Sequence, residues 1–156
     1  MSAEQRLIDK GITLPPPWAD KYNRVRAQLS GIHVYMSGHG PLAPDSTPLM
    51  VGKLGREFGV EQGAAAARLA ALATLATLKH KIGSLDRVVR VVKVLGFVNC
   101  APGFNTPSMV MHGFSDVMVD VFGEEIGKHA RSSIGIAELY ADMPVEIETI
   151  FEIAPD

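Results

Sequence analysis

Val145-Glu146-Ile147-Glu148-Thr149-Ile150-Phe151-Glu152-Ile153 is the stretch whose reading decides the architecture. Val145, Ile147, Thr149, Phe151 and Ile153 fall on one face of an extended chain, with Glu146, Glu148 and Glu152 on the other, interrupted by Ile150. Period two of this kind marks a strand with one face on a core. This strand is the last element, so its partners lie upstream. Arg131 to Leu139, with Ile134 and Ile136, reads as the strand before it. Val88 to Phe97 has high β-propensity and is apolar on both faces apart from Arg90 and Lys93, which predicts a central strand covered on both sides. Arg24 to Ser37 reads as two strands, Val25-Ala27-Leu29 and Ile32-Val34-Met36 alternating with polar residues about a Ser30-Gly31 turn. A short strand is also expected near Leu49 to Val51.

Between the strands sit two helices. Val60 to Ile82 is filled with strong helix formers, carries Lys79, His80 and Lys81 at its negative end, and meets Gly83 as a stop. Ala66, Ala70, Ala73 and Thr77 form a small-residue stripe suited to lying close on a sheet. The second helix starts at Thr106-Pro107 and is expected to end at Gly123, with Val110, Phe114, Val117 and Val121 facing the core. Residues 2–10 predict a short helix with Ser2 as cap, followed by an extended Pro15-Pro16-Pro17 arm that Trp18 anchors. The order is β-β-(β)-α-β-α-β-β, an α+β layer in which helices cross over one sheet face.

At 156 residues the chain fits one domain, residues 1–22 forming an N-terminal arm. A net charge of -2 argues against a nucleic-acid or anionic-membrane partner. The longest apolar-looking run, Gly63 to Leu78, is mostly alanine and is broken by Arg68, which excludes a membrane span there. Cys100 is the sole cysteine and no signal peptide is visible, so a reducing cytoplasm is the expected location. The five histidines lack paired zinc spacing, and no carboxylate cluster suits calcium. No Walker loop, dinucleotide fingerprint or serine-hydrolase elbow is present. Neither a metal nor a cofactor is expected.

Several stretches together carry a resemblance. Ala130-Arg131-Ser132-Ser133, Ala137-Glu138-Leu139 and Val145-Glu146-Ile147-Glu148 form an arginine followed at fixed distance by alternating glutamates. Ser37-Gly38 with Pro41, and Gly96-Phe97-Val98-Asn99 with Phe104, add to it. The chain resembles the YjgF-like (Rid, reactive intermediate deaminase) family, and its N-terminal Gly11-Ile12-Thr13-Leu14-Pro15-Pro16 looks like a longer bacterial subgroup. The resemblance implies a chorismate-mutase-like mixed sheet with two helices on one face. It implies a homotrimer with pockets between subunits, and cofactor-independent hydrolysis of small enamines and imines to 2-oxo acids and ammonia. Some members are described instead as endoribonucleases or translation inhibitors.

Carried over by position, Arg131 matches the ligand arginine, whose planar guanidinium suits a carboxylate. The alternative is a structural salt bridge. Glu146 matches the acidic position that places water; otherwise it is a solvated glutamate on a strand face. A glutamate beside the arginine across paired strands could serve an already electrophilic imine. Ser133 stands where deaminase-type members commonly have cysteine. Ser37 and Gly38 match the pocket wall. Arg24 stands where the typical deaminase has a pocket tyrosine; Tyr22, two residues earlier, would point to the same side of a regular strand but about 7 Å further along, so either Tyr22 substitutes through a bulge or the pocket is more cationic. The pair Arg24 and Arg131 suggests a larger or doubly charged anion. The expected function is an imine deaminase with Arg131 and Glu146 as catalytic residues and a small carboxylate as ligand. The alternatives are a trimeric small-acid binding or sensing protein and, third, a nuclease.

Overall fold

A computed structural model describes residues 1–155. The first helix, α1, runs Ala3–Asp9, capped by Ser2, whose Oγ accepts from the Gln5 amide at 3.2 Å. Strands β1 (Ala27–Ser30) and β2 (His33–His39) form a hairpin. Helix α2 spans Val60–Ile82, and β3 is Val88–Asn99. A short helix α3 (Pro107–Val110), helix α4 (His112–Gly127), β4 (Ala130–Ile136) and β5 (Val145–Ile153) complete the chain.

The five strands are ordered β1-β2-β5-β3-β4, antiparallel throughout except for the β3–β4 pair. The C-terminal strand therefore inserts at the centre, between β2 and β3, which explains why its alternation is so regular. Val145, Ile147, Phe151 and Ile153 point into the core with Thr149, while Glu146, Ile150 and Glu152 are half-buried and Glu148 is exposed on the other face. Helices α2 and α4 cover the inner face. Phe114, Val117 and Val121 from α4 and Leu75 and Leu78 from α2 meet Val94, Val98 and Phe151, all of them fully buried. Each such side chain contributes roughly 1.5–3 kcal/mol of transfer free energy.

The small residues in α2 let α4 approach. A β-carbon on Gly113 would stand 2.7 Å from the carbonyl carbon of Ala64, so the helices touch backbone to backbone there. Gly83 ends α2 with φ 85°, as its glycine predicts.

Five expectations change. The second helix is interrupted at Met111, and Gly123 (φ 78°) kinks it without ending it, because the last turn is held by the Lys128 amide on Glu124 O at 3.2 Å. Residues 49–51 form no strand; only an isolated Leu42–Pro48 bridge lies nearby. The first strand begins at Ala27 rather than Arg24, because residues 21–24 close a turn bridged Lys21 to Arg24. The strand expected to run to Leu139 stops at Ile136, and the chain makes a 3-10 turn at Tyr140–Asp142 before β5. Finally, β3 is covered by helices on one face alone. Its Leu95 and Phe97 are half-buried on the open face, beside Tyr35 (46% exposed) and Ile134 (43% exposed).

Candidate active site

Arg131 and Glu146 lie on different faces of the sheet. Arg131 is on β4, in register with the buried Val94 of β3, and so projects towards the helices. Glu146 is on β5, in register with Phe97, and projects onto the open face. Strand β3 runs between their two strands. The expectation that they meet across paired strands is therefore corrected: each lines its own cavity.

The Arg131 cavity, of about 590 Å³, is built by the break between α3 and α4. Pro107 opens α3 at its first position, where its missing N–H costs no hydrogen bond. The guanidinium is half-buried. Its Nη1 donates to Ser115 Oγ at 2.8 Å, and its Nη2 donates to Ser108 O and Oγ, each at 3.2 Å. His129 continues the chain of bonds. Its Nδ1 is 2.7 Å from Gly127 O, a pure acceptor, so Nδ1 carries the proton. Its Nε2 then accepts from the Ser115 hydroxyl at 2.9 Å. Burial pushes His129 below the usual histidine range, and the nearby Arg131 charge adds to this, outweighing the bond to Gly127. The neutral tautomer is thus fixed, and Ser115 is aligned to receive Arg131. Burial also lowers the Arg131 pKa, opposed by Asp116, but a guanidinium stays charged at neutral pH. Ser133 lines the same cavity.

The Glu146 cavity, of about 510 Å³, depends on a β-bulge. Met36 pairs with Thr149 and His39 with Ile147, so the segment Ser37-Gly38 stands opposite Glu148 alone. A β-carbon on Gly38 would be 2.6 Å from Glu146 Cδ and closer still to Oε1, so glycine leaves room for the carboxylate. Burial raises the Glu146 pKa and Glu148 raises it further, while Arg24 and Arg26 oppose. The carboxyl is thereby held closer to the neutral range, where it can both accept and return a proton.

The floor beneath is rigid. Trp18 stacks on His39 with ring centroids 4.7 Å apart, and the Arg26 guanidinium lies 4.9 Å above the Trp18 ring. His39 is fully buried, bonded through Nδ1 to Ser37 O at 2.6 Å and through Nε2 to Thr77 Oγ1 at 3.0 Å. Burial depresses its pKa to about 4. Trp18 thus fixes the proline arm against the sheet and the bulge together.

Of the residues singled out from sequence, Arg131 and Ser133 share one cavity, and Glu146, Gly38, Arg24 and Tyr22 share the other. Ser37 belongs to neither. Its Oγ donates to Val25 O at 2.7 Å, and it borders a separate hollow on the open face. Tyr22 does not sit on a regular strand. It adopts φ 58° in the 21–24 turn and is 94% exposed, standing at the cavity mouth. Sequence reasoning missed Ser108, Ser115 and His129 around Arg131, and Lys21, Arg26 and Tyr140 around Glu146. Ser108 and Ser115 are seven residues apart, two helical turns, which was the available signal. Arg26 alternates like an outward residue, and nothing local marks it as buried.

One cavity thus presents a guanidinium with hydroxyls and the other a carboxyl with cations, on a sheet backed by helices. The chain belongs to the YjgF-like (Rid) family: residues 4–145 match the family described as "YjgF/chorismate mutase-like, putative endoribonuclease". It is 41% identical over 143 residues to Protein TCP17 of Trypanosoma cruzi, covering 92% of this chain and 89% of that protein. Among solved structures it resembles Atu1372 of Agrobacterium tumefaciens, described as of unknown function, at 36% identity and TM-score 0.86, covering 97% and 92% of the two chains. It also resembles a Shewanella oneidensis protein described as a "putative endoribonuclease", at 27% identity and TM-score 0.91, covering 98% and 100%. Proteins of this family are generally oligomers. Among the described residues, no helix is long and apolar enough to cross a membrane.

Proposed function

We propose that this protein is a cofactor-independent hydrolase of small 2-imino acids, acting at a site completed between subunits of a homotrimer. One observation carries the reading. The carboxylate-binding group, Arg131, and the proton-transfer group, Glu146, lie on opposite faces of one chain's sheet, each in a cavity that lacks the other. Apposition of two copies supplies both to one substrate. The half-covered apolar residues of the open face, Tyr35, Ile150, Leu95, Phe97 and Ile134, supply surface for such an assembly.

In this reading Arg131 holds the substrate carboxylate. Its contacts to Ser108, long at 3.2 Å, give way so that two guanidinium N–H groups face the ligand. Glu146 protonates the imine nitrogen and takes a proton from water. The water oxygen bonds to the imine carbon, the C–N bond then breaks with protonation of nitrogen, and 2-oxo acid and ammonia leave. Water and imine supply every atom, and no oxidant is consumed. Ser133 lines the wall and forms no covalent bond.

A second reading is a binding protein without turnover. It is favoured by the internal hydroxyls already satisfying Arg131. One experiment separates the two. An amino-acid oxidase generates the imino acid in the presence of semicarbazide, and loss of the trapped species is followed with and without protein. Acceleration that disappears in Arg131→Ala and is not restored in Arg131→Lys supports the hydrolase. Ligand-induced thermal stabilisation with no acceleration supports the binder. RNA cleavage that survives repurification, with neither of these, moves the function to nucleic acid. Light scattering that finds a monomer removes the shared site.

A further inference from the structure

We infer that the Glu146 cavity selects substrates with a second anionic group, so that the preferred ligand is a small dicarboxylate rather than a monocarboxylate. The inference rests on the intersubunit reading above and deepens it.

Three cations, Lys21, Arg24 and Arg26, line this cavity against two carboxyl groups, Glu146 and Asp45. Their commitments differ. Arg26 is buried, stacked over Trp18, and its Nε bonds to Ala19 O at 3.4 Å; it supplies a fixed positive field at the back. Asp45 is engaged with the Thr47 amide at 2.9 Å. Glu146 is half-buried over Gly38 at the inner end and makes no ion pair within 4 Å among the described residues. Lys21 has a bond to Ser46 Oγ at 3.3 Å. The Arg24 side chain makes no hydrogen bond or ion pair among the described residues. Two cations on the wall therefore keep most of their donors free, in a cavity whose carboxyl is shifted towards neutrality.

The turn that presents them is built for that placement. Residues 21–24 bridge back on themselves, with Tyr22 in the left-handed region at φ 58°. A β-branched or strand-compatible continuation would carry Arg24 along the sheet edge instead of over the cavity. With the substrate's first carboxylate on Arg131 and its imine at Glu146, Arg24 and Lys21 face the end of the side chain. A neutral side chain leaves them to water and displaces part of it without replacement. An anionic one meets charge-assisted hydrogen bonds.

The test measures binding and turnover separately. Affinities of the full-length assembled protein for 2-oxoglutarate and for 4-methyl-2-oxopentanoate are measured calorimetrically at low and at physiological salt. Turnover is measured with imino acids released by flavin oxidases from L-glutamate and from L-leucine. The expected result is a dicarboxylate preference of about tenfold or more. That ratio falls towards one in Arg24→Gln, at an exposed position, and by a smaller step in Lys21→Gln, at a half-buried one; urea unfolding of each variant shows that the fold is kept. A wild-type ratio near one overturns the inference, as does a ratio that neither variant changes. Absence of turnover with the binding preference intact removes the hydrolase reading and leaves this inference standing. Turnover of both imino acids with no binding preference does the reverse.

Discussion

The carboxylate of Glu146 occupies the space that a β-carbon on residue 38 would fill. Gly38 has no left-handed φ among its reasons for being glycine, so its role is to leave that space open. Gly38→Ala would push a flexible carboxylate aside rather than displace backbone. The fold should tolerate it within about 1 kcal/mol, while imine turnover should fall on the order of 100-fold because the group proposed for proton transfer is misplaced. Urea unfolding together with the semicarbazide assay checks both halves. Loss of stability larger than loss of activity would place Gly38 in the core rather than the site.

Glu146→Gln should separate stability from activity in the opposite direction. The folded-state pKa of Glu146 is raised, chiefly by burial. A raised carboxyl binds its proton more tightly when folded, so its contribution is present below the unfolded pKa and lost as pH rises through the folded one. At neutral pH the ionised group therefore costs stability. The amide removes that cost, and Glu146→Gln should unfold at equal or higher urea, by about 0.5–1 kcal/mol, with turnover lost. The stabilisation should shrink as pH falls towards the acid range, which an unfolding series across pH would reveal.

The last strand and the first long helix were legible because their signals are local. The alternation of β5 survives in the structure residue for residue, and α2 begins and ends where its formers and Gly83 dictate. What was not legible depends on contacts between distant segments. That the last strand inserts between β2 and β3 follows from tertiary pairing, and it is this insertion that puts β3 between Arg131 and Glu146. The bulge at Ser37-Gly38 was visible only as two glycines near a proline. The bonds that hold Arg131 come from a helix break at Met111 that no proline or glycine marks. Arg24 was placed on a strand because it alternates with Val25, Ala27 and Leu29, yet the turn won because Asp20 Oδ1 accepts from the Arg26 amide at 2.7 Å and ends the strand there.

His39 sets an acid limit on stability. Its folded pKa is depressed to about 4 from an ordinary value near 6.5 by burial. Between those values the unfolded chain takes up a proton that the folded one refuses, so stability falls as pH drops. The loss sets in below pH ~6.5 and amounts to roughly 3 kcal/mol by pH ~4. Urea midpoints at neutral pH and at mildly acid pH should differ accordingly. His39→Gln, although less stable at neutral pH through loss of the Trp18 stack, should show a flatter pH dependence. Equal slopes in the two proteins would assign the acid sensitivity to other groups.

The turn before β5 stores strain beside the Glu146 cavity. Ala141 (φ 53°) and Asp142 (φ 52°) are consecutive non-glycine residues in the left-handed region. Such residues cost on the order of 1–2 kcal/mol each and persist where the surroundings hold them. The holding group is Asn99, which is fully buried. Its Nδ2 donates to Asp142 Oδ1 at 2.9 Å and Met143 O at 3.2 Å, and its Oδ1 accepts from Lys53 Nζ at 2.6 Å. The Gly52 amide adds a bond to Asp142 O at 2.7 Å. The turn so fixed sets Tyr140 and Met143 on the cavity wall. Ala141→Gly removes the steric penalty at the cost of greater unfolded-state freedom, and should stabilise by up to about 1 kcal/mol. Asn99→Ala leaves a lysine, a carboxylate and a carbonyl short of a partner and should destabilise by about 2–3 kcal/mol. In the double variant, the glycine should recover less than its own gain, because once Asn99 is gone the turn relaxes without it. Additive effects in that cycle would mean that Asn99 and the strained pair act independently, and the cavity wall would then owe its position to the backbone bonds of Gly52, Asp142 and Met143.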